Sequence, residues 1–154
     1  MPVVAITLHI LAVIVWVGGM FFAYLAARPV LAELETLLRA RIWAGFFRRF
    51  FPWVWTAIVV LLASGIYMVF NSFDGFAHAP LFVNLMMGLG VLMMALFGHI
   101  NSVPYPRLKQ AVEAKDVEQA LKAMGQIRQV MGLNLALGII VVLIAMSGAY
   151  LSSD

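Results

Sequence analysis

Cysteine is absent from the 154 residues, which excludes both a disulfide framework and a thiolate metal site. Charge is nearly as scarce: 11% of the residues are Asp, Glu, Lys or Arg, against 64% hydrophobic. A water-soluble domain of this size needs more polar surface than that to cover its core. All seven acids fall outside the long apolar runs, so a relay of carboxylates inside those runs is excluded. A glycine-rich phosphate loop and a nucleophile triad are missing too. Catalytic residues therefore stay unassigned.

Four apolar runs dominate what is there: about residues 3–27, 51–71, 81–100 and 130–151, with a mean hydropathy over the chain of +1.01. Crossing ~30 Å of hydrocarbon takes ~20 residues at ~1.5 Å each, so every run is long enough. Lipid offers the backbone no hydrogen-bonding partner, and a lone span must then be a helix. The expected fold is all-α, a transmembrane four-helix antiparallel bundle forming one domain over residues 1–154.

A sequence pI near 9.6 would point to nucleic acid in a soluble protein, but here the basic residues serve orientation. All ten are in two loops: Arg28, Arg39, Arg41, Arg48 and Arg49, then Arg107, Lys109, Lys115, Lys122 and Arg128. By the positive-inside rule the 28–50 and 101–129 loops are cytoplasmic. Both termini are then periplasmic, in a bacterial inner membrane. Met1–Thr7 carries no basic side chain, unlike the start of a secretory signal, so the first run reads as a retained helix.

Between the runs, Val30–Phe47 reads as a short amphipathic helix on the cytoplasmic surface. The brief 72–80 loop makes the second and third helices antiparallel neighbours. Pro104 and Pro106 stop the third helix, and Asp116 with Gln119 resembles a capping box that starts the fourth. Each span carries small or polar residues at alternating spacings of four and three. The stripes are Ala5, His9, Ala12, Trp16, Gly19, Ala23; Trp53, Ala57, Val60, Ser64, Tyr67, Asn71; Asn84, Gly88, Val91, Ala95, Gly98; and Asn134, Gly138, Val141, Ala145, Gly148. Small residues let helices approach in lipid, so these stripes are expected to face inward.

His9 is the leading candidate for chemistry, because an ionisable group inside a membrane bundle is costly and marks a functional site by default. A neutral histidine bridging two helices is the plain alternative. Trp16 on the same stripe either walls a cofactor pocket or is bulky core. Opposed helix directions place Asn84, Tyr67, Asn71, Ser64, Gly148 and Ser152 in the layer of His9, with His78 in the loop above. His99 lies roughly 20 Å away by helical rise and cannot share a metal ion with His9. Asn134 is near His99 in depth, which leaves room for a second polar cluster. Met86, Met87, Met93 and Met94 lie opposite the Asn84–Gly98 stripe and are expected to face lipid or fill gaps between helices.

The string from His9 to Trp16 and Gly18-Gly19, followed by Arg28-Pro29, resembles the first helix of the copper-resistance D (CopD) family. Arg48-Arg49, Pro52, Gly65 and Tyr67 extend the likeness more loosely. The chain is also distantly similar to HemJ-type protoporphyrinogen oxidases, small four-helix proteins whose histidine at the His9 position is taken to ligate haem b. Where that type has a lysine early in the third helix, this chain has Asn84. The resemblances imply haem b held through His9, with Trp16, Tyr67 and Asn84 around it, or copper held by His9 and His78. A cofactor-free scaffold or partner subunit is the third reading. Beyond the lipid bilayer, a homo-oligomer or a redox partner stays open.

Overall fold

The structure, a computed structural model, describes residues 2–151; Ser152 and Ser153 lie outside the described residues. All regular elements among the described residues are helical. Four rods are long and apolar enough to cross a membrane. They are α1 (Val3–Ala32), α2 (Thr36–Phe73), α3 (Leu81–Ser102) continuing after Val103 into α4 (Pro104–Ala114), and α5 (Val117–Leu151). The expected all-α membrane bundle is the observed fold.

The boundaries follow local chemistry. Glu35 caps α2 by accepting from the Leu37 and Leu38 amides at 3.0 and 3.1 Å, which holds its carboxyl below the usual range. Pro104 sits at the first turn of α4, where its missing N–H costs nothing. Lys115, at φ 55°, closes α4, and Asp116 Oδ1 accepts the Gln119 amide at 3.0 Å to open α5 as expected. The expected separate helix over Val30–Phe47 does not form. Residues from Thr36 onward belong to α2, whose 38 residues continue through Pro52. At ~1.5 Å per residue that rod is ~57 Å long, about twice the hydrocarbon thickness. The basic ends of α2 and α5, joined by α4, therefore form a stub beyond the bilayer. Within that stub Leu108, Ala111, Ala120 and Ala123 are buried and continue the hydrophobic core of the bundle.

Packing pairs α1 with α2, and α3 with α5; α2 and α3, though joined by the short loop, touch little. They are consecutive but not packed neighbours. An aromatic run on α2 closes the centre: Phe47 stacks on Phe51 at 5.0 Å, and Phe51 meets Phe97 and Tyr105 edge-on at 5.1 and 4.9 Å. The inward stripe holds on α5, where Asn134, Gly138 and Gly148 are buried. On α2 it holds only in part, since Ala57 and Ser64 are buried but Trp53, Tyr67 and Asn71 are exposed. On α3 it fails. Asn84, Gly88, Val91 and Ala95 are exposed, while Met93, Phe97 and Ile100 form the buried face.

Helix α1 departs from a plain ladder. Over Ile14–Gly18 and again over Phe22–Ala27 it widens into π-helical turns. Its buried face runs Ala12, Trp16, Met20, Ala23, and Gly19 faces inward as expected, since a Cβ there would run into the Phe50 ring of α2.

Candidate functional site

His9 lies at the end of the bundle opposite the basic loops, half-buried against α2. Its Nδ1 is 2.8 Å from Ser64 Oγ. Ser64 follows the common helical habit of donating its single hydroxyl proton back along the helix, here to Val60 O at 2.6 Å, with Leu61 O at 3.3 Å. With the serine proton assigned to Val60 O, the oxygen is the acceptor and His9 Nδ1–H the donor. A neutral imidazole protonated at Nδ1 carries its lone pair on Nε2. Such a hydrogen bond is how proteins fix the tautomer and aim of a ligating histidine.

Gly65 lies directly beside the ring. A Cβ at that position would stand 3.4 Å from His9 Cε1 and 3.8 Å from Met87 Cε. The absence of a side chain there leaves room beside the α2 backbone for both the imidazole of α1 and the terminal methyl of Met87 on α3. Met87 is half-buried beside Gly65 and Met93 is buried, so of the two uses expected for this methionine group these two take the filling of gaps between helices. The same error of azimuth on α3 that misplaced Asn84 concealed Met87.

The side chains of Asn84, Tyr67 and His78 are exposed and form no hydrogen bond with His9. Asn84 is exposed, and its Nδ2 donates to Phe76 O and Ala79 O, both at 3.3 Å, tying down the 72–80 loop. Tyr67 is 42% exposed. His78 is exposed in the loop, its backbone amide bonded to Gly75 O. No group of three or more His, Cys, Asp or Glu that could hold a metal forms among the described residues. Trp16 is 2% exposed and packs edge-on against Phe97 at 6.2 Å, as core does; its Nε1 has no hydrogen-bond partner among the described residues. Asn134, fully buried, donates Nδ2 to Met93 O at 3.2 Å, while His99 is exposed near the basic end, so the two form no polar cluster.

Comparison with known families matches residues 44–147 to the model of the family described as Copper resistance protein D. That is more than half of the chain. The protein belongs to the CopD family. The match takes in α2 from Ala44 onward, α3, α4 and nearly all of α5, and so includes Ser64, Gly65 and Met87. His9 lies ahead of it, and on this CopD-family chain the imidazole is joined to the matched region by the Ser64 hydrogen bond. No curated protein matches the chain, and no solved structure does.

Proposed function

We propose that this CopD-family membrane protein handles copper(I), taken at the end of the bundle away from the basic loops by His9 Nε2 with the Met87 thioether. The observation that carries this reading is the 2.8 Å contact of His9 Nδ1 with Ser64 Oγ; with the serine proton assigned to Val60 O, Nε2 of the intramembrane imidazole is the nitrogen available as a ligand. The donor set suits the ion: a neutral imidazole and a soft thioether favour copper(I) over hard cations. The printed family description, copper resistance, agrees in kind. His78 and Asn84 have no place in this site.

Haem b is the second reading, because a histidine and a methionine, here His9 and Met87, would also be able to hold haem iron. Bound haem would supply electron transfer; the chain's own part is to present the Nδ1-protonated ring and to shield it beside Gly65. The two readings separate on one preparation. Purified protein titrated with copper(I) against a chromogenic chelator is expected to withdraw about one ion per chain and to show no Soret band. A Soret band with no copper uptake reverses the order, and neither signal leaves the scaffold reading.

Orientation follows from charge. With the two basic loops in the cytoplasm of a bacterial cell, His9 faces the periplasmic half of the inner membrane. A cysteine introduced at Ser72 is expected to react with an impermeant maleimide on intact spheroplasts, and one at Ala114 only after lysis. The reverse pattern would put His9 on the cytoplasmic side.

A further inference from the structure

At the opposite end of the bundle lies a second site, independent of His9. A cavity of about 310 Å³ opens between the end of α1, the start of α2 and the start of α5. Three arginines from those three helices line it, Arg28, Arg39 and Arg128, with no carboxylate in the lining. None of the three forms an ion pair among the described residues. Two of the guanidiniums are held in place. Arg28 lies over the Tyr24 ring at 5.2 Å from its centroid, and Arg39 Nη1 donates to Ala32 O at 3.2 Å. The Tyr24 ring in turn rests on Gly132, where a Cβ would stand only 3.0 Å from it.

Unpaired arginines gathered in one half-enclosed place repel one another, and the arrangement calls for an anion to bridge them. Guanidinium forks match the oxygens of a phosphate better than those of any monatomic ion. Below the charges the walls turn apolar, with Ala23, Phe47, Ile127 and Met131. We propose that this pocket binds a phosphate group, and that the apolar floor selects one carried by an anionic lipid. Basic pockets between transmembrane helices at the positively charged side are suited to such headgroups.

Gly125 supplies a test that leaves every charge in place. It lines the cavity, and a Cβ built on it meets nothing within 4 Å. Gly125→Leu should therefore fill the pocket without disturbing the fold. The experiment follows the melting temperature of delipidated protein in non-ionic detergent during titration with phosphatidylglycerol, phosphatidylcholine, glycerol phosphate or inorganic phosphate. Phosphatidylglycerol is expected to raise it saturably, as a ligand of the native state does. Arg128→Gln should weaken the half-saturating concentration about fivefold. Gly125→Leu should remove the effect while leaving the lipid-free melting temperature near wild type. Arg107→Gln and Lys115→Gln, which change charge at the same end without lining the cavity, should leave the titration unchanged. Equal stabilisation by inorganic phosphate would keep the oxyanion site and assign it to a soluble source. Equal stabilisation by phosphatidylcholine, or an equal loss on Arg107→Gln, would overturn the proposal.

Discussion

His9→Ala is expected to abolish copper(I) uptake by the purified protein, and Met87→Leu to weaken it severely. The two sever different halves of one donor pair, so neither should leave a competent site. Ser64→Ala tests the tautomer argument, since it removes no ligand. It deletes only the oxygen that accepts from Nδ1, and losses of 10–100-fold in metal affinity are typical of such changes. His78→Ala and His99→Ala should retain wild-type affinity, because both rings are exposed and neither bonds to the His9 layer. A chelator-competition titration across the five variants reads all of this in one format. Full affinity in Ser64→Ala would mean that the hydrogen bond orients nothing. Loss in His78→Ala would move the metal to the 72–80 loop.

The second large effect is mechanical. A side chain at Gly138 would meet Val17 Cγ2 at 3.0 Å and Met93 Cε at 3.2 Å from its Cβ alone. The methionine can swing aside, but the β-branched valine is stiff on its helix. Gly138→Leu should therefore force α1 or α3 away from α5 and destabilise the bundle by about 3 kcal/mol, the upper end of the usual overpacking range. Gly88→Leu should stay within about 0.5 kcal/mol, because nothing lies within 4 Å of a Cβ there and the residue is exposed. Thermal unfolding of both variants in the same detergent gives the comparison. Equal losses would show that the small-residue face of α3 is covered after all.

That contrast also marks where the sequence could be read. On α5 the inward stripe of Asn134, Gly138 and Gly148 was legible because a fully buried asparagine and close helix contact both demand that face. On α3 the same spacing misled. In lipid the outer surface of a helix is as apolar as its inner one, so a stripe of glycine and alanine does not by itself say which way it points. The inner face is Met93, Phe97 and Ile100, chosen by what fills the space beside Trp16 and Phe51. The layer shared by His9 and Ser64 was legible from depth alone, since helix direction and rise fix it. Which nitrogen stays free was not, because it depends on where the serine proton goes. The three arginines of the second pocket read in the sequence only as an orientation signal. They come from positions 28, 39 and 128, and nothing local shows that they converge.

The widened turns of α1 make chain length itself a functional quantity. A plain α-helix advances about 100° per residue. A π-helical turn accommodates an additional residue without carrying the following ones round to a new face. Met20 is buried four residues after Trp16, and Gly19 beside it packs against Phe50 of α2. Deleting one residue between Val15 and Gly18 would let the ladder close as ordinary α-helix with the two halves of α1 still on their faces, whereas inserting one would turn them against each other by about 100°. With Tyr24 still lodged on Gly132, such an insertion would swing the imidazole off Ser64 although every residue named in either site was still present. The count of residues between His9 and Tyr24 can thus fall by one within a widened turn but cannot rise.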